Sequence, residues 1–553
     1  MLRHKSFYLV ILLGLIMFCW ELGVPALRHR EGIWAAIAQN MYARGDYFLM
    51  EIGMEDYYDK PFFSYWLIVV CAKIFGGVSE FTVRLPSALS AVLALAFTYS
   101  LAAHWFSQRV AVVASLILAS SLGFTFWARH GQVEMGNLLG ILLVIWIFFR
   151  YKANERPGWL YLMASVMAVT SWLKGPLCYM VPGFVMVCHS LLFRDWKWLR
   201  LGHVAGAGGV SLLLYFAPFV VAWGATGKWD ALYMVYRENV VRFVDPFDHV
   251  MPFYSYFPYL ALNMLPWSLF LPWLLGYLWQ QRRTMPQELK QLLVVIVAIF
   301  VFFCLSGSRR SYYLIPMLPF TSILLAICFT ALPDLGKLWQ RTIAVVGLIV
   351  GVAAILPLPL LLTIGQPRAA QVLAYLAEAP VANMTPLLNL LFATGMFVIA
   401  TMTAVVGVAI IAGLSVPTLR PTAVVGLPAC ACALFFLYFG PLTSQLEVMR
   451  SNRPFAREMA QIIPKDKVIA FFPKSDAALI FYLQIYRNLK DYQVFGNEDQ
   501  KGEARAHMAL LPSGGFLITD RGLNPALWSL VTEEKRFFLQ KNQRDAWLLY
   551  RAK

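Results

Sequence analysis

Hydrophobic runs long enough to cross a bilayer recur along most of this chain. A helix needs about 20 apolar residues to traverse the hydrocarbon layer, and on that basis we read about thirteen spans. They lie near residues 7–24, 85–106, 110–127, 135–149, 158–173, 178–193, 202–223, 257–279, 291–306, 312–332, 342–364, 386–411 and 421–440. The pattern predicts a polytopic α-helical membrane protein.

The short connections between these spans orient the chain. If the N-terminus is cytoplasmic, every even-numbered connection contains at least one Lys or Arg, as at Arg109, Arg150, Arg194, Arg282 and Arg420. Cytoplasmic loops carry this excess of basic residues in membrane proteins. An odd number of spans then places the C-terminal residues on the outer face of the membrane.

Two segments outside the spans have structure of their own. The first outer loop, 25–84, is long, and its amphipathic stretches Gly32 to Ala43 and Phe62 to Phe75 predict helices that lie at the membrane surface. The tail, 441–553, predicts a small α/β domain after a transmembrane domain at 1–440. Its predicted strands are Val468 to Phe472, Gly515 to Thr519 and Trp547 to Arg551, and its predicted helices are Ala477 to Ile485 and Trp528 to Gln540.

Composition agrees with a membrane protein and excludes several other classes. The chain is 59% hydrophobic and 14% charged, and its net charge is +16. Much of that charge lies in short loops, so we predict no nucleic-acid partner. The eight cysteines lie in or beside hydrophobic segments, which predicts no disulfide framework. The tail contains no nucleotide-binding loop, which argues against an ATP-driven pump.

Cations gather on the outer face, where topology does not require them. Lys60, beside Asp59 and just before a proline that we place at the first position of a helix, suits a phosphate-binding site. Arg309 and Arg310 oppose the positive-inside rule, which favours an anion-binding role for at least one of them. Lys174 lies in a tight reversal between two spans, where it either positions a substrate or extends toward the interface.

Acidic residues on the same face are candidates for general acid–base chemistry. Glu31 and Glu134 each precede a helix, so each either stabilises the helix N-terminus or acts as a catalytic carboxylate just outside the bilayer. His249 either makes an ordinary hydrogen bond or ligates a divalent metal, and no cofactor other than this possible metal is indicated.

Several short motifs occur in a fixed order over residues 1–330. They are Glu31 to Asp46, Tyr58-Asp59-Lys60-Pro61, Lys174-Gly175-Pro176, Arg242-Phe243 with His249, Pro266-Trp267, and Tyr312-Tyr313-Leu314-Ile315-Pro316. Together they resemble the membrane-embedded C-type (GT-C) glycosyltransferases that use polyprenyl-phosphate sugars. The resemblance is greatest to the group that includes the lipid A 4-amino-4-deoxy-L-arabinose transferases and the protein O-mannosyltransferases. Arg30 stands where that group usually has an Asp, and Glu134 replaces another Asp.

The resemblance implies an inverting glycosyltransferase of the bacterial inner membrane, with its active site and C-terminus in the periplasm. It would move a sugar from undecaprenyl phosphate to lipid A or to another glycan or protein acceptor of the envelope. Lys60, Arg242, Arg309 and Arg310 would bind the donor phosphate, Glu31 and Glu134 would be catalytic, and Asp59, Lys174, Tyr312 and Tyr313 would position substrate. A flippase for lipid-linked sugars and an O-antigen-ligase-like transferase remain alternatives.

Overall fold

The computed structural model describes twelve stretches of the chain. They are residues 4–27, 30–52, 55–58, 60–241, 251–331, 420–442, 452–472, 476–487, 492–494, 514–519, 531–537 and 547–552. The predicted spans at 342–364 and 386–411 lie outside these residues.

Helices dominate the described part of the chain. They are α1 (Lys5–Cys19), α2 (Glu31–Arg44), α3 (Phe63–Phe75), α4 (Glu80–Trp105), α5 (Gln108–Ala119), α6 (Leu122–Ala128), α7 (Glu134–Asn154), α8 (Gly158–Lys174), α9 (Leu177–Phe193), α10 (Leu201–Thr226), α11 (Asp230–Tyr236), α12 (Tyr256–Asn263), α13 (Leu271–Gln281), α14 (Gln287–Leu305), α15 (Leu318–Thr330), α16 (Arg420–Leu437), α17 (Arg453–Ile462) and α18 (Ala477–Arg487).

Every predicted span that falls on described residues contains helix, although the helix in the span 7–24 ends at Cys19 and the spans 110–127 and 257–279 are each interrupted. Within those residues, six helices are long and apolar enough to cross a membrane, or eight if each of two bent pairs forms one span. The bent pairs are Gln108–Ala119 with Leu122–Ala128, at 68°, and Phe253–Asn263 with Trp267–Gln281, at 108°. The polytopic helical architecture is therefore confirmed, while the count of thirteen stays a prediction.

Both helices that the sequence predicts in the segment 25–84, the predicted first outer loop, are present. Its two amphipathic segments form α2 and α3, and a short antiparallel hairpin, β1 (Glu51–Ile52) with β2 (Glu55–Asp56), lies between them. Pro61 precedes α3 by two residues, so its predicted place at the first helical position is wrong. The Trp66 N–H still bonds the Phe62 carbonyl at 3.0 Å, because the chain begins to coil directly after the proline.

A five-stranded sheet forms the centre of the C-terminal region. Its order is β4 (Tyr492–Val494), β3 (Ile469–Phe472), β5 (Phe516–Thr519), β7 (Trp547–Ala552) and β6 (Val531–Phe537). Strand β3 runs parallel to both of its neighbours, and β7 runs antiparallel to both of its own. The predicted strands at β3, β5 and β7 and the predicted helix at α18 are confirmed.

The helix predicted at Trp528 to Gln540 is wrong, because residues 531–537 form the edge strand β6. Glu and Lys in the middle of this segment favour a helix locally. Pairing with β7 overrides that preference, and charged side chains are tolerated on a strand at a sheet edge.

The C-terminal region packs directly against the outer loop. The Tyr482 hydroxyl of α18 accepts a hydrogen bond from the Leu27 N–H at 2.8 Å and bonds the Glu80 carboxylate at 3.0 Å. At Gly32, an added Cβ would come within 2.6 Å of the Ala478 Cα, so α2 and α18 can approach this closely only because residue 32 lacks a side chain.

Candidate functional site

A cavity of about 290 Å³ lies where the outer loop meets the ends of the spans. Its wall combines polar and charged side chains with apolar side chains from α9, α11 and α14. The lining residues are Arg30, Trp34, Tyr57, Lys60, Pro61, Gln132, Val133, Glu134, Lys174, Leu177, Met180, Met234, Glu238, Phe302, Phe303, Ser306, Ser308, Arg310, Tyr312 and Tyr313.

Six of the predicted site residues line this one cavity. They come from segments that are far apart in the sequence, and they are Lys60, Glu134, Lys174, Arg310, Tyr312 and Tyr313. Two predicted phosphate-binding cations, Lys60 and Arg310, are among them. The structure therefore brings together the charges that the sequence only placed on one side of the membrane.

Lys174 and Glu134 form the best-defined contact of the cavity. The Lys174 Nζ lies 2.5 Å from Oε2 of Glu134, and both side chains are largely buried. The same ammonium lies 4.9 Å from the centre of the Tyr312 ring and 5.0 Å from that of Tyr313. These cation–π contacts and the ion pair hold the lysine in place. The left-handed φ of 74° at Gly175 lets the chain reverse directly after it.

The adjacent arginines Arg309 and Arg310 have different environments. The Arg309 guanidinium donates to the backbone carbonyls of Cys304 at 3.0 Å and Gly307 at 3.1 Å, and also to that of Met251. Arg310 lines the cavity and Arg309 does not. We therefore propose that Arg310 alone contributes its charge to a ligand, and that Arg309 orders the loop.

Glu31 is fully buried and is not among the residues that line the cavity. Arg84 donates to both carboxylate oxygens at 2.8 Å, and the Gly131 N–H donates to one of them at 2.8 Å. Burial alone would raise the pKa of Glu31, but the Arg84 guanidinium and the Gly131 N–H lower the pKa to about 2. We therefore propose a positioning role for Glu31 in place of the catalytic role predicted from the sequence.

Among the lining residues that the sequence did not predict as site residues are Trp34, Ser308 and Glu238. Trp34 and Ser308 are 3% and 1% exposed, and the Trp34 Nε1 and Ser308 Oγ have no hydrogen-bond partner within the described ranges. The third is the carboxylate of Glu238, which pairs with Arg237 at 3.2 Å. Buried polar atoms normally have partners, so we propose that Trp34 and Ser308 form hydrogen bonds to a ligand.

Some predicted site residues cannot be placed. Asp59, Arg242 and His249 lie outside the described residues. In the part of the chain that the structure describes, no group of three or more His, Cys, Asp or Glu side chains is arranged to hold a metal ion. The metal role of His249 stays a prediction.

Residues 59–223 match the family described as dolichyl-phosphate-mannose-protein mannosyltransferase. The solved structure of ArnT from Cupriavidus metallidurans bound to undecaprenyl phosphate superimposes with a TM-score of 0.75, at 19% identity, over 98% of this chain and 97% of that one. The oligosaccharyltransferase of Archaeoglobus fulgidus gives a TM-score of 0.51 at 12% identity, over 93% of this chain and 69% of that one. The chain has the GT-C fold.

Relatives in sequence agree with this fold and with the resemblance read from the motifs, which is confirmed. The undecaprenyl phosphate-α-4-amino-4-deoxy-L-arabinose arabinosyl transferase 2 of Proteus mirabilis is 29% identical over 54% of this chain and 54% of its own length. The corresponding transferase of Pseudomonas aeruginosa is 28% identical over 57% of this chain and 58% of its own. The chain thus spans little more than half the length of these relatives.

Proposed function

We propose that this protein is an inverting glycosyltransferase of the bacterial inner membrane that uses an undecaprenyl-phosphate sugar as donor. The observation that carries the proposal is the composition of the cavity wall. Lys60 and Arg310 supply positive charge, whereas Leu177, Phe302 and Phe303 supply an apolar surface. A polyprenyl-phosphate sugar has matching parts, since an anionic phosphate joins a polar sugar to a hydrocarbon chain.

The reaction follows from this arrangement. The bond between the anomeric carbon and the phosphate oxygen breaks, and negative charge grows on the leaving undecaprenyl phosphate. Lys60 and Arg310 stabilise that charge from fixed positions on the wall. The acceptor oxygen forms the new bond from the opposite side of the anomeric carbon, which inverts its configuration.

The acceptor decides whether a base is needed. A hydroxyl acceptor must lose its proton, and Glu134 is the predicted catalytic carboxylate that lies on the cavity wall. A phosphate acceptor is already nucleophilic and needs no base. The names of the relatives give a donor, undecaprenyl phosphate-α-4-amino-4-deoxy-L-arabinose, and no acceptor. Because the motifs resemble those of lipid A transferases and lipid A offers phosphate groups, lipid A is the first acceptor to test. A glycan hydroxyl or a protein hydroxyl is the next acceptor to test.

The activity can be tested with the purified protein in lipid nanodiscs, to which undecaprenyl-phosphate sugars and lipid A are added. We expect glycosylated acceptor and free undecaprenyl phosphate by mass spectrometry. Lys60→Ala should abolish both products while the thermal midpoint is unchanged, because a lysine in a loop contributes little stability. Movement of intact donor across proteoliposomes without product would instead establish a flippase.

The periplasmic location of the site and of the C-terminus is tested separately by cysteine labelling in spheroplasts. Asp466 is well exposed in the C-terminal region, and Arg283 is exposed in the connection between α13 and α14. A membrane-impermeant thiol reagent should label Asp466→Cys and spare Arg283→Cys, relative to the unsubstituted chain. The reverse pattern would place the cavity on the cytoplasmic side.

A further inference from the structure

A second cavity, of about 160 Å³, shares none of its described lining residues with the candidate active site. A single water molecule needs only about 10–15 Å³ of such space, so this cavity can hold a larger group. The lining residues are Leu22, Pro25, Arg84, Leu122, Phe126, Arg129, His130, Tyr438 and Phe439.

The second cavity lies where four predicted spans end. Its lining residues come from the ends of the spans 7–24, 110–127 and 421–440 or directly follow them, and Arg84 directly precedes the span 85–106. In the predicted orientation all four of these ends are on the outer face. The orientation therefore places the cavity at the level of the lipid headgroups, which flank the hydrocarbon layer.

Arg129 is a buried cation on the wall of this cavity, and it is only 6% exposed. Its Nη1 and Nη2 donate to the backbone carbonyls of Met17 at 2.9 Å and Trp20 at 2.8 Å. Within the described ranges the guanidinium makes no further hydrogen bond and no ion pair. The charge of Glu21 also acts on Arg129, but that carboxylate is exposed and lies beyond ion-pair distance. Buried charges are normally paired, so among the described residues Arg129 is left without a counter-anion.

Arg84 lines the same cavity, but its bonding is complete. Its guanidinium donates to both carboxylate oxygens of Glu31 and makes three more hydrogen bonds to backbone carbonyls. These bonds use every N–H donor of an arginine, and Glu31 neutralises the charge. Of the two arginines in the described lining, only Arg129 therefore has N–H groups left for a ligand.

The rest of the wall combines apolar and aromatic surface. Leu22, Leu122 and Phe439 are apolar, and the Phe126 ring stacks on the His130 ring with 3.8 Å between the ring centres. The His130 Nδ1–H donates to the Phe126 carbonyl at 2.7 Å, which holds the two rings together. A free phosphate ion gains nothing from apolar surface, whereas a lipid carries its phosphate beside hydrocarbon. The wall therefore suits the phosphate of a lipid better than a free phosphate.

We propose that this cavity binds the phosphate group of a membrane lipid, and that Arg129 donates hydrogen bonds to its oxygens. The planar guanidinium can donate two parallel hydrogen bonds to a phosphate. The phosphate belongs either to a phospholipid, as a diester, or to lipid A, as a monoester. A phospholipid would stabilise the ends of the spans. Lipid A would make the cavity a docking site for the acceptor, and in that case the inference deepens the proposed function.

Native mass spectrometry of the purified, delipidated protein in detergent measures lipid binding without a sugar donor. The ligands are phosphatidylglycerol, lipid A, inorganic phosphate, and diacylglycerol, which has acyl chains but no phosphate. The variants are Arg129→Gln and Leu122→Trp, of which the second fills the cavity and leaves Arg129 in place. Arg44→Gln is the matched control, because Arg44 ends α2 and does not line the second cavity.

We expect a phosphate-bearing lipid to bind at least about 10-fold more tightly than diacylglycerol, and inorganic phosphate to bind weakly. Arg129→Gln should weaken lipid binding about 10- to 100-fold, because charge-assisted hydrogen bonds to the phosphate are lost. Leu122→Trp should weaken lipid binding as well, and Arg44→Gln should match wild type. A preference for phosphatidylglycerol identifies a structural lipid, and a preference for lipid A identifies an acceptor site.

Equal binding of diacylglycerol and the phosphate-bearing lipids would overturn the proposal, and so would unchanged lipid binding in folded Arg129→Gln. Inorganic phosphate that binds as tightly as the lipids would overturn the assignment to a lipid. If Arg129→Gln does not fold, unchanged binding in Leu122→Trp overturns the proposal instead. The outcome is independent of the proposed function, because a protein that transfers no sugar can still bind the lipid, and an active transferase can fail to bind it.

Discussion

Arg84 donates two hydrogen bonds of 2.8 Å, one to each carboxylate oxygen of Glu31, and both side chains are buried. The remaining Arg84 donors bond the carbonyls of Leu22, Pro25 and Ala26. Through the ion pair and these hydrogen bonds, Arg84 therefore ties the start of α2, the end of the first predicted span and the start of α4 together.

Glu31→Gln should consequently reduce the stability of the fold more than the rate of glycosyl transfer. Breaking a buried ion pair by removing one partner leaves an uncompensated charge and costs about 3–5 kcal/mol. We expect a lower thermal midpoint in detergent, while the folded fraction keeps turnover within a few-fold of wild type. A folded, wild-type-stable variant whose turnover falls by orders of magnitude would return Glu31 to the catalytic role that the sequence predicted.

The same pair predicts a dependence of stability on pH. The folded protein holds the pKa of Glu31 at about 2, below its ordinary value of 4.5. The contribution of ionised Glu31 to folding stability is therefore complete above pH 4.5 and is lost as pH falls through 2. The difference in thermal midpoint between wild type and Glu31→Gln should shrink across that window. A difference that is constant with pH would contradict the assignment.

Glu134 is the carboxylate that we expect to act in transfer. Glu134→Gln should lower turnover by a factor on the order of 10²–10⁴ with a hydroxyl acceptor and much less with a phosphate acceptor, because only the hydroxyl must be deprotonated. Steady-state kinetics with both acceptors measure the contrast. Glu238→Gln is the matched variant on the same wall, and a larger acceptor-dependent loss there would transfer the role of base to Glu238.

The contact between α2 and α18 depends on the absence of a side chain at residue 32. Gly32→Ala should displace α18, since the new methyl group would overlap the backbone at Ala478. We expect faster proteolysis within the C-terminal region and a lower thermal midpoint. Gly158→Ala is the control, because an added Cβ at Gly158 meets nothing within 4 Å. Equal behaviour of the two variants would argue against close docking.

Much of the helical architecture could be predicted from the sequence, because the length of an apolar segment and the basic residues of the loops beside it are strong local signals. Lys60, Glu134 and Lys174 were predicted as site residues for the same reason, since charges beside spans are costly, and all three line the cavity. The ion pair between Glu31 and Arg84 could not be predicted, because the two residues lie 53 positions apart in the sequence. Trp34 and Ser308 could not be predicted as site residues, because only the folded structure shows that their buried polar atoms have no hydrogen-bond partner.

The most direct test of the cavity as the active site uses two adjacent arginines. Arg310 lines the cavity, whereas Arg309 bonds three backbone carbonyls. Purified Arg310→Gln and Arg309→Gln should be compared for kcat/KM with an undecaprenyl-phosphate sugar and for thermal midpoint. We predict that Arg310→Gln lowers kcat/KM about 100-fold or more and leaves the thermal midpoint unchanged. Arg309→Gln should lower the thermal midpoint, while the protein that remains folded stays active. Full activity in Arg310→Gln, together with loss of activity in a stable Arg309→Gln, would contradict the assignment of this cavity as the active site.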